Sequence, residues 1–213
     1  MAYLVGYREF WSLTLTVSAD TLIPRPETER LVELALALIP PDAAWHIADL
    51  GTGSGAIALA IASERPRCEV VATDRSSAAL AVARANATQL GIENVSFREG
   101  SWCAALPDQR FEMIVSNPPY IAEGDSHLAQ GDVRFEPGTA LTSGATGLAD
   151  LRQIISEAIQ HLAPGGWLLL EHGFNQGAEV VALLAEFGYS EIVDYNDYAG
   201  HARVACASLA GGK

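Results

Sequence analysis

The sequence predicts an α/β domain in which a seven-stranded, mostly parallel sheet is covered by helices on both faces. Residues 45–208 alternate short apolar runs with segments of helical periodicity, a pattern typical of such sheets. A glycine-rich turn, residues 51–55, follows the first apolar run, as in nucleotide-binding α/β folds. With 213 residues, of which 49% are hydrophobic, the chain is long enough for one well-packed domain with a short appendage.

Seven short apolar runs are predicted to form the strands of this sheet, because alternation with helical segments is what parallel strands require. In chain order the predicted strands are Ile47–Leu50, Glu69–Thr73, Val95–Arg98, Met113–Ser116, Trp167–Leu170, Glu191–Tyr195 and Val204–Ser208.

The clearest predicted helix covers residues 147–162. Its apolar side chains recur at three-to-four spacing, and Pro164-Gly165-Gly166 follow as a stop signal. Capping residues and proline mark the ends of the others. One of these helices runs from Ser76 or Ser77 to Leu90 and is ended by Gly91, and another covers residues 177–187 and is ended by Gly188. A third begins with a first turn within Ile23–Glu29.

Upstream of the sheet, the sequence predicts an exposed β-hairpin. Leu13, Leu15 and Val17 alternate with polar residues, which is the period of a strand with one face in solvent. We therefore divide the chain into a hairpin and linker, residues 1–20, and a catalytic domain, residues 21–213.

Composition and charge exclude several classes of function. The longest apolar runs are cut by proline or glutamate well short of the roughly 18–20 residues of a membrane span, and we see no secretion signal. A cytoplasmic protein without membrane contact is expected. Thirteen basic and 26 acidic residues give a net charge of −13, which repels a phosphate backbone, so no direct nucleic-acid partner is predicted. We also expect a monomer.

No metal site is predicted. The three cysteines, Cys68, Cys103 and Cys206, stand far apart and have no histidine at zinc-ligand spacing. Asp125 and His127 form a pair without a third ligand, which is typical of a solvated loop.

A cofactor site is predicted at the glycine-rich turn Asp49-Leu-Gly-Thr-Gly-Ser-Gly55. Glycines allow a ligand to lie against the main chain beside a helix N-terminus. Asp74 ends the second predicted strand, where its carboxylate can accept hydrogen bonds from both hydroxyls of a ribose. Nicotinamide dinucleotides and S-adenosylmethionine both use this arrangement, so the turn does not distinguish them.

A chemical site is predicted at Asn117-Pro118-Pro119-Tyr120, directly after the fourth strand. Methylation of an amide-like NH₂ requires acceptors that grip its hydrogens and aim its delocalised lone pair. The Asn117 oxygen and a backbone carbonyl such as that of Pro118 meet this need and stabilise developing positive charge. The prolines carry no N–H, and Tyr120 adds a flat wall for a planar group.

These motifs, taken together, resemble the HemK/PrmC methyltransferases, which modify the glutamine of the GGQ motif in class 1 release factors. The resemblance spans nearly the whole chain. It rests on Tyr3–Gly6 with Arg8–Phe10, Leu22–Glu29, Asp49–Gly55, Asn117–Tyr120, Asp132–Pro137 and Leu170–Gly173.

The resemblance implies a Rossmann-like class I fold, S-adenosylmethionine as cofactor, and a release factor as partner. It implies that Asn117, Pro118, Pro119 and Tyr120 form the catalytic pocket. By the same resemblance the cofactor is held by Gly51, Thr52, Gly53, Ser54, Gly55, Asp74, Trp102 and Asn117. For Arg25 and Glu27 an ion pair at the helix start and a pocket role stay equally open.

The sequence departs from the family in two respects. The family usually has an acidic residue before the tryptophan, where this chain has Ser101, so recognition of the adenine amino group must rest on another group. The family also carries a small helical domain ahead of the hairpin, which we expect to be missing here and which helps to dock the release factor.

Three alternative functions stay open at this point. An adenine-N6 nucleic-acid methyltransferase can use the same Asn117–Tyr120 pocket on a flipped base, although the net charge of −13 opposes it. A nicotinamide-dependent oxidoreductase is supported by the glycine turn alone. A binding module with little activity is the third, given Ser101 and the missing domain.

Overall fold

The computed structural model describes residues 2–125 and 136–211. The chain opens with a helical turn, α1 (Ala2–Val5), and a hairpin of β1 (Tyr7–Phe10) and β2 (Leu13–Thr16), followed by a 3-10 turn (Pro26–Thr28) that leads into α2 (Glu29–Leu38). The remaining elements are β3 (His46–Leu50), α3 (Ala56–Glu64), β4 (Glu69–Asp74), α4 (Ser77–Leu90), β5 (Val95–Glu99), β6 (Phe111–Ser116), α5 (Ala149–Ala158), β7 (Leu162–Glu171), α6 (Gly177–Glu186), β8 (Tyr189–Asn196) and β9 (Ala202–Leu209).

The predicted seven-stranded sheet is confirmed. Its strand order is β5-β4-β3-β6-β7-β9-β8. The first five strands in this order, β5, β4, β3, β6 and β7, pair in parallel, whereas β9 runs antiparallel to both β7 and β8. The order reverses between β3 and β6, which is where open α/β sheets place their ligands.

Two apolar clusters pack on opposite faces of the sheet, as predicted. One joins buried residues of α2 and α3 to the sheet, and the other joins α5 and α6 to its second face. Helix α3 is buried nearly all round, from Ala56 to Ala62, because it lies between the sheet and α2. The stability of the fold comes from these two layers.

The helix boundaries are confirmed for α4 and α6 and wrong for α5. Ser76 caps α4, whose C-terminal Gly91 has φ of +65°. The predicted helix 147–162 is shorter, since α5 ends at Ala158 and Leu162 pairs with Phe111 as the first residue of β7. Helical periodicity continued through Leu162 because a buried leucine fits either element at that point.

The predicted hairpin is confirmed, with the polar face of its alternating strand in solvent, and the domain covers its apolar face. Phe10 and Leu15 are buried in the same cluster as α2 and α3. The buried Asn86 of α4 joins the hairpin to the domain, since its side chain bonds both the N–H and the carbonyl of Thr16, at 2.8 and 3.0 Å. The division of the chain at residue 20 stays a prediction.

None of the helices in residues 2–125 and 136–211 combines the length and apolar character of a bilayer-spanning helix. Most of the motif Asp132–Pro137 lies outside the described residues.

Candidate active site

The first wall of the candidate site is formed where β3 and β6 end side by side. Leu50 pairs with Ser116 in the parallel register, and the Ser116 hydroxyl donates to the Leu50 carbonyl at 2.7 Å. The next residues are Gly51 and Asn117. The sheet therefore brings the glycine turn and the Asn-Pro-Pro-Tyr segment together at its carboxyl edge.

The glycine turn has a backbone that side chains would not tolerate. Gly51 and Gly53 have φ of +75° and +56°, and the N–H groups of Gly51 and Thr52 both donate to the Thr73 carbonyl at 2.9 Å. A Cβ on Gly51 would lie 3.0 Å from Cζ3 of Trp102. Glycine at position 51 thus serves both the turn and the close approach of the indole.

Of the five turn residues predicted to line a cofactor, the structure brings two to a cavity. Gly51 and Gly53 line a cavity of about 300 Å³. Thr52 and Ser54 are buried, and the Thr52 hydroxyl donates to Asp49 at 2.6 Å. A Cβ on Gly55 would meet the Leu59 side chain at 3.0 Å. Thr52, Ser54 and Gly55 therefore shape the turn from within.

Asp74 lines the same cavity, and its carboxylate is already held by the backbone. One oxygen accepts from Gly53 N–H and the other from Ser76 N–H, each at 2.9 Å. The N-cap of α4 is Ser76, whose hydroxyl accepts from Ala79 N–H at 3.1 Å. Asp74 is therefore not needed as a cap and faces the cavity in a fixed orientation.

Trp102 stands where the cofactor edge was predicted. It follows β5 as the first residue of a 3-10 turn, with φ of +45°, and it lines the cavity together with Ser101. Segment 19–22, which joins the hairpin to the domain, also lines this cavity. Sequence reasoning missed that segment, because residues 19–21 belong to no motif and the motif that begins at Leu22 gave that residue no role in the site.

Beneath the glycine turn lies the buried carboxyl group of Asp49. Burial raises its pKa to about 7, and the charge of Asp74 adds to the rise. Hydrogen bonds from Thr52 and from the Ala58 N–H act in the opposite direction. Both reach Oδ2, and Oδ1 has no partner in the part of the chain that the structure describes.

A second cavity, of about 520 Å³, adjoins the first. Pro118, Pro119 and Tyr120 line it, and it shares Asn117 and Pro119 with the first cavity. The predicted catalytic residues are thus brought together, and Asn117 stands where the two cavities meet.

The Asn117 amide is oriented by a contact across the site. Its Nδ2 donates to the Thr28 hydroxyl oxygen at 3.2 Å. Because the two polar atoms of a carboxamide point in opposite directions from the same carbon, Oδ1 is turned away from Thr28. The atom left for a ligand is an acceptor.

A buried glutamate, Glu171, closes the second cavity from the end of β7. The Tyr120 hydroxyl donates to its Oε1 at 3.2 Å. Burial raises the pKa of Glu171 to about 7, and the charge of Glu27 adds to the rise. The nearby Thr28 and Tyr120 hydroxyls lower it, as does the charge of Arg203. Oε2 of Glu171 has no hydrogen-bond partner among the described residues. Burial also raises the pKa of Tyr120, so its hydroxyl stays a donor.

The chain matches known methyltransferases over nearly all of its length. Residues 30–136 match the family model described as "Methyltransferase small domain". The release factor glutamine methyltransferase of Salmonella typhimurium is 56% identical over 97% of this chain and 74% of its own length; that of Escherichia coli K12 is 53% identical over 96% and 73%. A solved structure, the release factor-specific protein-(glutamine-N5) methyltransferase from Alicyclobacillus acidocaldarius, is 30% identical with a TM-score of 0.55, covering 92% of this chain and 99% of that one.

The chain belongs to the release factor glutamine methyltransferase family. The resemblance drawn from the motifs is thereby confirmed, and so are the Rossmann-like fold and S-adenosylmethionine as the family's cofactor. The chain spans about three quarters of the length of the curated relatives it matches.

The residues at the first cavity fit the cofactor of this family. The glycine backbone that lines the cavity leaves room for a ligand against the main chain, and the Trp102 indole supplies a flat apolar surface for an adenine. The Asp74 carboxylate is a suitable acceptor for ribose hydroxyls. The chemistry of these groups is therefore compatible with S-adenosylmethionine.

Four side chains in or beside the second cavity were missed or left open by the sequence. Thr28 lies within the motif Leu22–Glu29, but the motif gave it no role in the site. Glu171 follows a strand at the carboxyl edge, which is a usable signal. Arg25 and Glu27 both line the second cavity, and Arg25 pairs with the buried carboxylate of Glu136 rather than with Glu27.

His172 lies next to Glu171 and is held by hydrogen bonds within the fold. It is fully buried, and its Nε2 lies 3.0 Å from an Asp194 carboxylate oxygen. Among residues 2–125 and 136–211, no group of three metal-ligating side chains is present. His127 lies outside these residues, so the expected absence of a metal stays a prediction.

Proposed function

We propose that this chain transfers a methyl group from S-adenosylmethionine to the side-chain amide nitrogen of the glutamine in the GGQ motif of class 1 release factors. The observation that carries the proposal is the position of Asn117. Its carboxamide stands between a cavity that fits the cofactor and a second cavity walled by Pro118, Pro119 and Tyr120.

On the cofactor side, we assign the ribose to Asp74 and the adenine to Trp102. Asp74 is held by two backbone N–H groups, so it binds hydroxyls without reorganising. The bound cofactor supplies an activated methyl group on a positively charged sulfur. Gly51 and Gly53 allow it to lie against the turn, and Thr52, Ser54 and Gly55 hold the shape of that turn.

On the acceptor side, Asn117 and Pro118 hold the glutamine amide. The nitrogen lone pair of an amide is delocalised, so the group has to be gripped and aimed before it can attack. Asn117 Oδ1 and the Pro118 carbonyl accept from the two N–H bonds, and the Tyr120 ring packs against the amide plane. The same acceptors stabilise the positive charge that develops on nitrogen.

The glutamine nitrogen forms a new N–CH₃ bond as the S–CH₃ bond of the cofactor breaks, and the electron pair of that bond stays on sulfur in the neutral leaving group, S-adenosylhomocysteine. The nitrogen then loses one N–H proton to water. No strong base is required, because the nitrogen that has gained a methyl group loses its proton readily. His172 is accordingly not needed as a base, which agrees with its buried position.

The test incubates the chain with S-adenosylmethionine and a purified class 1 release factor, and reads the product by mass spectrometry. We expect the mass increase of one CH₂ group on the glutamine of the GGQ motif. A release factor with alanine in place of that glutamine is the matched control. Methylation found only in duplex DNA, offered to the chain in a parallel incubation, contradicts the proposal.

Adenine-N6 methylation of nucleic acid is the second candidate, favoured only by the Asn117–Tyr120 pocket. Its requirement for a basic groove conflicts with the net charge of −13. The monomeric state, the cytoplasmic location and the division at residue 20 stay predictions.

A further inference from the structure

One buried side chain behind the acceptor pocket joins that pocket to the end of β7. It belongs to Gln176, the residue that precedes α6, and it is 8% exposed. Its Nε2 donates to the Tyr120 carbonyl oxygen at 2.9 Å, and its Oε1 accepts from the Gly173 N–H at 2.8 Å. Tyr120 ends the segment Asn117–Tyr120, and Gly173 ends the motif Leu170–Gly173. Gln176 therefore connects two motifs that lie far apart in the chain.

The orientation of the Gln176 carboxamide is fixed by the chemistry of its two partners. A main-chain carbonyl can only accept a hydrogen bond, and a main-chain N–H can only donate one. If the amide were turned over, its oxygen would face the Tyr120 carbonyl and its NH₂ would face the Gly173 N–H. Both contacts would be repulsive, and both main-chain groups would lose their partner. The carboxamide thus has one orientation in which both contacts are favourable.

Two glycines pass close to this carboxamide. A Cβ at Gly173 would lie 2.9 Å from Gln176 Oε1, and a Cβ at Gly147 would lie 2.8 Å from Gln176 Nε2. The same Cβ at Gly147 would come closer still to the Tyr120 carbonyl oxygen. Larger residues at these two positions would displace the amide, so the main chain encloses Gln176 at both of its polar atoms.

The acceptor pocket depends on such an anchor because its own main chain has few donors. Pro118 and Pro119 carry no N–H, so neither can donate a hydrogen bond to the sheet. Tyr120, which follows them, has its hydroxyl bonded to Glu171 Oε1 at 3.2 Å. Tyr120 is therefore held to the end of β7 at two points, through its hydroxyl by Glu171 and through its carbonyl by Gln176.

We propose that Gln176 is a positioning residue for methyl transfer, which holds Tyr120 and the two prolines before it where the glutamine amide requires them. This inference rests on the proposed function. Gln176 is not among the residues that line the two cavities, so it acts through Tyr120 and does not touch the substrate. The effect should be substantial, because a displacement of about 1 Å at the reacting group can reduce a rate about a hundredfold.

The first measurement tests the two contacts in the wild-type chain without catalysis. In ¹⁵N-labelled protein, the Gln176 side-chain NH₂ should exchange with solvent at least about tenfold more slowly than that of the exposed Gln160. The Gly173 amide should exchange faster in Gln176→Leu and stay protected in Gln176→Glu, because a carboxyl oxygen still accepts. Exchange of the Gln176 NH₂ as fast as that of Gln160 overturns the inference.

The second measurement is transfer to a release factor at saturating cofactor. Gln176→Glu keeps the size of the side chain and the acceptor for Gly173, but it replaces the donor to Tyr120 with a carboxyl oxygen. We expect kcat/KM for the release factor to fall roughly tenfold or more in Gln176→Glu and in Gln176→Leu. The dissociation constant of S-adenosylmethionine should stay within about twofold of wild type. Unchanged kcat/KM in Gln176→Glu overturns the inference, and so does an equal loss of cofactor affinity, which would indicate a general disturbance of the fold.

Two control variants separate positioning from a loss of stability. Gln160→Glu makes the same chemical change at an exposed position. Tyr189→Phe removes a buried hydroxyl that donates to the Ile155 carbonyl at 2.9 Å, at the end of the sheet opposite Glu171. Both variants should keep kcat/KM within about twofold of wild type, although Tyr189→Phe should unfold at a lower denaturant concentration. A tenfold loss of kcat/KM in Tyr189→Phe would overturn the inference, because lost stability would then explain the effect at Gln176.

A failure of the proposed function is distinguishable from a failure of this inference. If the wild-type chain transfers nothing to a release factor while Gln176 and Gly173 exchange slowly, the proposed function fails and the anchoring of Tyr120 stands. If the wild-type chain transfers the methyl group and Gln176→Glu is equally active, the inference alone fails.

Discussion

The two halves of the site are built by different means. The cofactor half consists of a glycine turn whose N–H groups are fixed on the neighbouring strand, with Asp74 held by two further backbone N–H groups. The acceptor half depends on side chains, since the Asn117 amide is held by Thr28 and the Tyr120 hydroxyl by Glu171. Main-chain geometry survives most substitutions, whereas a hydrogen bond between two side chains is lost when either residue is replaced. We therefore expect the acceptor half to be the more sensitive one.

The strongest test of this comparison is Asn117→Ala. It removes the acceptor that grips the amide nitrogen, so transfer to a release factor should fall by roughly a hundredfold or more, as when one such group is removed from other enzymes. Calorimetry should show cofactor binding within a few-fold of wild type. The exposed Asn196→Ala is the control. Unchanged turnover in Asn117→Ala would refute the assigned role.

A smaller effect is expected from Asp74→Ala in the cofactor half. Loss of a charge-assisted hydrogen-bond acceptor should weaken S-adenosylmethionine binding by roughly 10- to 100-fold. At saturating cofactor, kcat should be near that of wild type, because the acceptor half is untouched. Asp42→Ala, at an exposed position, is the matched control. Equal loss of cofactor affinity in both variants would remove the distinction between the two halves.

Each half covers one buried carboxyl group, so pH should affect stability through both. The pKa of Asp49 is raised from 3.8 to about 7 and that of Glu171 from 4.5 to about 7. The folded state thus binds protons that the unfolded state has lost, and the free energy of unfolding should fall as pH rises from about 4 to about 7, by an order of 1 to 3 kcal/mol per group. Denaturant titration of Asp49→Asn should show a shallower fall. A slope equal to that of wild type would contradict the assignment to Asp49.

The smallest effect is expected from Ser101→Asp. Ser101 lines the cofactor cavity next to Trp102 and stands where the family usually has an acidic residue. A carboxylate there can accept from an adenine amino group, which should tighten cofactor binding by roughly threefold to tenfold without changing kcat. Calorimetry measures this directly. A weaker affinity in Ser101→Asp would show that the adenine lies elsewhere.

Much of the site was predictable because it follows strands in the chain. The glycine turn after β3, Asp74 after β4 and Asn117 after β6 all carry motifs, and strands that run in parallel must end at one edge. The presence of Thr28 and the segment 19–22 at the site was not predictable, although Leu22 and Thr28 belong to the motif Leu22–Glu29. They reach the site from the connection between the hairpin and α2, and no periodicity records where a connection will lie.

For the hairpin, the sequence predicted the element itself but not the residues against which it packs. Its alternating pattern predicts a strand with one polar face, and β2 is such a strand, but the pattern does not say what covers the apolar face. Leu15 is buried against the domain, and Asn86 holds the backbone of Thr16. The partner of an amphipathic element is a property of the packed molecule.

Local chemistry in the chain was sufficient for the sheet, the cofactor turn and the family, because each depends on residues close together in sequence. The protonation of Asp49 and Glu171, the burial of the hairpin and the orientation of the Asn117 amide depend on groups distant in sequence. Desolvation and hydrogen-bond direction arise only when those groups are packed together, so they were decided by the folded arrangement.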